Sequence, residues 1–246
     1  MDIFNQTEWQ KKIAEPHWYF EAPKMIKQLR ALHDSARDKY EIEKERIYDF
    51  FERELAAGKI ALGSAGQDFD KERKPIDTII IHHTSMEPGL TPERLSGIEL
   101  LRLYAPQYAG NGPTYDAHKN ILNKPIYSGH FRDGMQVFWP YHWIILTDGT
   151  VERLLNDDEI GWQAGKWEVN KRSVGIVFDN DYEDSKPSQA ELEAVAKLIK
   201  EKYSQVAKDR IIGHCEVNLK TACPSKIFFS KDSHKGWKDD LIGLIG

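Results

Sequence analysis

Residues 77–83 read DTIIIHH, three isoleucines running straight into two histidines. Consecutive β-branched residues with no polar alternation suit a strand covered on both faces, as in a parallel sheet packed between helices. The runs SVGIVF (173–178) and RIIGH (210–214) repeat that pattern. Between them lie segments of helical period. In 90–104, Thr91 is a candidate N-cap and Pro92 suits the first helical position, with Leu95, Ile98 and Leu101 as the inner face. In 186–203, Ser188 and Glu191 have capping-box spacing, and Leu192, Val195, Ile199 and Tyr203 share one face. Residues 141–155, YHWIILTDGTVERLL, read as a hairpin turning at Asp148-Gly149. Strands alternating with helices in this way specify an α/β fold with a mixed central sheet flanked by helices.

The first seventy residues are different. From Pro23 to Ala57 the chain is highly charged, and Ile26, Leu29, His33, Ala36, Tyr40, Ile47, Phe51 and Leu55 fall at spacings of three, four and seven. This predicts one helix about 50 Å long with a single apolar stripe. A shorter segment from Trp9 to Phe20, set off by Pro16 and Pro23, is expected to fold back on it. The polar stretch 62–75 follows as a linker. The expected organisation is therefore a helical N-terminal extension with linker, 1–70, and a main domain, 71–246. The extension is expected to act as a packing arm or to mediate self-association.

The 246 residues carry a formal net charge of −5, no footprint for nucleic acid or an anionic membrane. No apolar run approaches the roughly 20 residues that span a bilayer. The opening MDIFNQTEWQKK lacks the basic start and apolar core of a secretory leader. A cytoplasmic location is therefore expected, with an extracellular or released form as the alternative. Cys215 and Cys223 could close a small disulfide loop, but an unexported chain favours a metal or reactive-thiol role for at least one of them.

Side chains alternate along a strand, so His82 and His83 should face opposite ways and not share a metal. Two buried strands each end on histidine, and Cys223 follows His214 by nine residues. Two imidazoles and a thiolate suit Zn²⁺ and leave a fourth position open, as in catalytic sites. On spacing alone, strand-end histidines held by structural hydrogen bonds remain the competing reading.

Five segments in order, IIIHHT, YHWIILTDGTVERLL, GWQAGKW, SVGI and GHCEVNLKTACPS, resemble the type-2 N-acetylmuramoyl-L-alanine amidases, zinc enzymes that share a fold with peptidoglycan recognition proteins. The resemblance covers roughly residues 75–225. It implies one Zn²⁺ per chain on His82, His214 and Cys223, and hydrolysis of the bond between N-acetylmuramic acid and L-alanine, with peptidoglycan or muropeptides as partners. It further implies that Tyr141 lies beside a zinc-activated water, and that Thr221, or the adjacent Lys220, donates to the developing oxyanion. His83, Trp162 and Gln163 are expected to line the substrate site. Many relatives carry histidine where this chain has Gln163, which cannot titrate near neutrality. Some cytoplasmic recycling amidases place a catalytic glutamate where Val177 stands here, which favours the tyrosine-dependent branch. The alternative function is a recognition module that binds peptidoglycan with little or no turnover. The aromatic-rich stretch 105–140, with Tyr115, Tyr127, Phe138 and with Trp139, could wall a substrate groove or cover core. His118 and His130 within it are read as ordinary loop residues.

Overall fold

The computed structural model describes residues 3–112, 116–229 and 235–246. In chain order its principal elements are α1 (Gln6–Lys12), α2 (Ala22–Ser35), α3 (Arg37–Ala56), β1 (Thr78–His83), α4 (Pro92–Glu99), α5 (Ala105–Tyr108), β2 (Phe131–Arg132) and β3 (Met135–Gln136). These are followed by β4 (Trp143–Ile145), β5 (Val151–Arg153), α6 (Trp167–Asn170), β6 (Ser173–Phe178), α7 (Gln189–Lys202), β7 (Ile211–Gly213), α8 (His214–Val217) and α9 (Trp237–Ile245). The fold is mixed α/β with an N-terminal helical extension. Among the described residues, no helix is long and apolar enough to cross a membrane.

The chain divides into two compact units, Met1–Asp68 with Thr91–Phe138, and Phe69–Leu90 with Trp139–Gly246. The expected division at residue 70 differs from this by Thr91–Phe138, which cluster with the N-terminal segment.

The second unit holds the sheet, in the order β5-β4-β6-β1-β7. Strand β1 pairs parallel with both β6 and β7, β4 pairs parallel with β6, and β5 closes the edge antiparallel to β4. Ile79, Ile80 and Ile81 are all fully buried, as a doubly covered strand requires. Their side chains alternate. Ile79 and Ile81 join the large core beneath α7 and α9, with Val195, Ile199 and Trp237, whereas Ile80 meets Ala164 and Val217 on the other face. A fully buried isoleucine contributes about 1.5–3 kcal/mol. The expected caps form. Ser188 and Glu191 make a reciprocal capping box on α7, and Thr91 accepts from the Arg94 N–H at the start of α4. The β4–β5 hairpin turns at Asp148-Gly149, where Gly149 has φ of 85° and Asp148 Oδ1 accepts from the Thr150 N–H.

In the first unit the single long helix expected over 23–57 is replaced by two helices that pack against each other, broken at Ala36 with φ −158° and ψ 73°. The reason is compositional. Residues 33–40 offer no large aliphatic side chain, and His33 and Ala36, counted in the stripe, are exposed. Asp34 and Ser35 are poor helix formers, and the Ser35 hydroxyl donates back to the Ala31 carbonyl at 2.7 Å, a contact that bends helices. Ile26 and Leu29 on α2, and Ile47 and Phe51 on α3, remain buried. The segment Trp9–Phe20 contributes only α1 and a 3₁₀ turn, Trp18–Phe20.

Within 105–140, Tyr115 lies outside the described residues. Phe138 is fully buried and Tyr127 half-buried in the first unit, and Trp139 is buried in the second. His118 and His130, expected as ordinary loop residues, are both buried. Burial pushes the pKa of His118 down from 6.5 to about 4. Above pH 6.5 the imidazole is neutral whether the chain is folded or unfolded. Between 6.5 and 4 only the unfolded chain binds the proton, so stability falls with falling pH, by about 1.4 kcal/mol per pH unit. Below 4 both states are protonated and the loss stops. His118→Gln is therefore expected to flatten the pH dependence of urea unfolding between pH 6.5 and 4; an unaltered slope would show that His118 makes no such contribution.

Candidate metal centre

His82 ends β1 on the face of Ile80, and His83 ends it on the face of Ile81, as alternation requires. The pairing of β1 with β7 runs Ile79 to Ile211, Ile80 to Ile212 and Ile81 to Gly213, so the next residues, His82 and His214, arrive level with each other. Their rings lie 4.7 Å apart, tilted by 52°. The turn into α8 is fixed by Glu216, whose carboxylate accepts from the Gly213 N–H at 2.7 Å and pairs with Lys238 at 3.0 Å. The chain then returns through 218–222. Cys223 is bridged to α8 by the Cys215 N–H, which donates to the Cys223 carbonyl at 2.7 Å.

His82, His214 and Cys223 are thereby gathered, with one ligand atom of each within 4.8 Å of the others. This group could hold a metal ion. Cys223 Sγ lies 3.6 Å from His82 Nδ1. His214 Nε2 is buried with no hydrogen-bond partner among the described residues, the condition of a ring nitrogen whose lone pair is left for a cation. Burial drives the His82 pKa well below its ordinary value, with the neighbouring His214 adding to the effect. Burial likewise lowers His214 to about 4, with the His83 charge second. Both imidazoles are neutral at pH 7, the form that ligates. Burial raises the Cys223 thiol to about 12, partly opposed by the His83 backbone N–H, so without metal it keeps its proton.

Tyr141 is half-buried, its ring 4.9 Å from that of His82 and tilted by 51°. Thr221 Oγ1 accepts from the Cys223 N–H at 3.1 Å and so shapes the turn that delivers the thiol, leaving its own hydroxyl hydrogen to donate. Lys220 is exposed, its backbone N–H held by Asn218 Oδ1 at 3.2 Å.

Of the residues expected to line a substrate, Trp162 is buried and set edge-on against Phe69, with ring centroids 5.4 Å apart. Gln163 is buried behind His82. Its Oε1 accepts from His82 Nε2 at 2.5 Å, and its amide nitrogen donates to Ser173 Oγ at 2.9 Å. His83 Nδ1 accepts from the Tyr182 N–H at 2.9 Å, and its Nε2 lies 2.8 Å from Ser85 Oγ. Asp181 Oδ1 is 3.5 Å from His83 Nδ1, so serine, histidine and aspartate stand in the order of a nucleophilic triad. The Tyr182 N–H rules that chemistry out. A nitrogen that accepts carries no proton, so His83 is protonated at Nε2, donates to Ser85, and cannot take the serine proton.

Three contributors went unnoticed in the sequence. Ser173 anchors Gln163. Gly175 lies where a Cβ would come within 3.0 Å of Gln163 Cγ and 3.3 Å of Tyr141 Cδ1. His142, fully buried, accepts the Gly175 N–H on Nδ1 at 3.1 Å and meets the Glu159 carbonyl through Nε2 at 3.0 Å. The glycine inside SVGIVF was the available signal, because a strand glycine commonly marks a close approach.

Residues 72–226 match the family model Amidase_2, described as N-acetylmuramoyl-L-alanine amidase. A curated relative, the 1,6-anhydro-N-acetylmuramyl-L-alanine amidase AmpD of Haemophilus influenzae, is 24% identical over 162 residues, covering 62% of this chain and 78% of that protein. Among solved structures, the N-acetylmuramoyl-L-alanine amidase LysC from Clostridium intestinale URNW matches at 20% identity and a TM-score of 0.43, over 66% of this chain and 83% of that one. The Ph2119 endolysin from Thermus scotoductus MAT2119 bacteriophage Ph2119 matches at 16% identity and a TM-score of 0.44, over 70% and 86%.

Proposed function

Because the chain belongs to the N-acetylmuramoyl-L-alanine amidase family, we propose that it holds one Zn²⁺ on His82, His214 and Cys223 and hydrolyses the amide between N-acetylmuramic acid and L-alanine in peptidoglycan or its fragments. The observation that carries this reading is the convergence of the His82 imidazole with the His214 imidazole and the Cys223 thiol, which lie more than 130 residues further along the chain. The donor set fits the ion. Two imidazole nitrogens and a thiolate are donors that Zn²⁺ prefers, the three ligand atoms lie within 4.8 Å of one another, and Cys223 Sγ is 3.6 Å from His82 Nδ1. When bound, such an ion polarises a carbonyl and acidifies water at neutral pH.

The chain's own groups supply the rest. Cys223 yields its thiol proton on ligation. His82 and His214 ligate as neutral rings and spend no charge on the site. Tyr141, over the His82 ring and half-open to solvent, donates its hydroxyl hydrogen to the oxygen that becomes negative as the amide carbonyl is attacked. Thr221 supplies a second hydroxyl beside Cys223, and Lys220 an exposed ammonium next to it.

The test is elemental analysis of protein purified without chelator, followed by incubation with a defined muramoyl-peptide and mass spectrometry of the products. About one zinc per chain and release of the stem peptide at its L-alanine amine is the expected result. Zinc without cleavage, with the protein retained on peptidoglycan, would reassign it as a binding module. A chain that takes up no zinc would overturn the metal assignment.

A further inference from the structure

We infer that Gln163 is a positioning residue that fixes the ring tautomer of His82, so that Nδ1 and not Nε2 is presented as the ligand atom. The inference rests on the zinc reading above for its purpose, but the tautomer itself is a property of the metal-free protein.

Strands β1 and β6 pair with Thr78 opposite Ser173, Ile80 opposite Gly175 and His82 opposite Val177. Alternation puts Ser173, Gly175 and His82 on one face. Gln163 lies along that face, crossing β6 over Gly175, where the missing Cβ leaves it room. One end of its amide meets Ser173 Oγ at 2.9 Å and the other meets His82 Nε2 at 2.5 Å.

An amide oxygen can only accept, so a contact of 2.5 Å places the imidazole proton on Nε2. Nδ1 is then bare, and it is the nitrogen 3.6 Å from Cys223 Sγ. The reverse tautomer would put an N–H between the ring and the thiol, where the ion must go. It would also set a lone pair of Nε2 against a lone pair of Oε1 in a buried site. Ser173 Oγ accepts from the amide nitrogen and so anchors the far end of the side chain, while the oxygen faces the histidine. Val177, opposite His82, is apolar and offers no competing acceptor. A neutral amide thus does what a carboxylate or backbone carbonyl does behind many metal-bound histidines, without adding buried charge. Gln163 therefore reaches the chemistry only through His82.

The test uses the full chain with ¹⁵N-labelled histidine. In the zinc-free protein, two-bond ¹⁵N–¹H correlation is expected to show His82 protonated at Nε2 and bare at Nδ1. In Gln163→Leu the two tautomers should become mixed, and the zinc dissociation constant, measured by competition with a chromophoric chelator, should rise about 10–100-fold. Gln163→Glu keeps an acceptor facing Nε2 and should restore both the tautomer and tight binding. A purely structural Gln163 would instead lower the melting temperature of both variants and leave zinc affinity unmoved. If Gln163→Leu fails to fold, the wild-type tautomer and the Glu variant still decide the matter. An Nδ1-protonated His82 in the wild type, or zinc affinity in a folded Leu variant within threefold of wild type, would overturn the inference. Failure of wild-type protein to bind zinc, with His82 still protonated at Nε2, would remove the proposed function and leave the positioning role of Gln163 intact.

Discussion

Cys223→Ala is expected to leave the fold in place, abolish stoichiometric zinc and reduce amide hydrolysis to background. The thiol is the only sulfur donor in the cluster and is buried, with burial holding it protonated up to a pKa of about 12 in the metal-free protein. Removing it costs the metal-free protein one small neutral side chain, whereas it costs the site its sole anionic ligand. Loss of a partner behind a ligand weakens binding by about 10–100-fold, so loss of a ligand should exceed the upper end of that range. A second readout separates ligation from packing. At pH 7 the wild type must release the thiol proton as metal enters, which calorimetry in buffers of different ionisation enthalpy detects as roughly one proton per ion. The alanine variant lacks that proton. If Cys223→Ala retained one zinc per chain with unchanged affinity, the ligand assignment would be wrong.

Tyr141→Phe should behave in the opposite way, keeping zinc and losing rate. Its ring stacks obliquely on His82 and passes close to Gly175, contacts that phenylalanine preserves. Only the hydroxyl is removed. Loss of one donor to a developing oxyanion typically lowers kcat by about 10²–10³, with little change in KM when the donor acts mainly in the transition state. Steady-state kinetics on a muramoyl-peptide, with zinc content measured on the same samples, checks both halves. A Phe variant with wild-type kcat would move the donor role to Thr221 or Lys220.

The strands were readable because a run such as Ile79–Ile81 has few alternatives, and the metal cluster because each histidine follows such a run directly. The capping box at Ser188 and the turn at Asp148-Gly149 are local devices whose chemistry is complete within four residues. What escaped was non-local or depended on the size of a side chain. The stripe through His33, Ala36 and Tyr40 had helical spacing but too little apolar surface to bury, so the helix broke at Ala36. Gln163 looked like a substrate-facing substitute for a histidine because its neighbours GW and AG carry no information about β6. Its path to His82 depends on the β1–β6 register and on a glycine ten or more residues away. The two adjacent histidines could be assigned to opposite faces from alternation, but that His83 is pinned by the Tyr182 N–H could not.

The level arrival of His82 and His214 bears on how the chain behaves while it is being made and while it lasts. The two residues lie about 130 positions apart, and their meeting closes a long loop whose entropy must be overcome before the site exists. The ligand set is therefore a property of the completed sheet, absent from any fragment that lacks β7. An ion gripped by all three residues acts as a removable cross-link between an early strand and a late one. Such a cross-link favours the folded chain over the unfolded one in proportion to the logarithm of free metal over its dissociation constant. Metal supply would then govern how long the protein survives unfolding and proteolysis, quite apart from whether it turns over substrate.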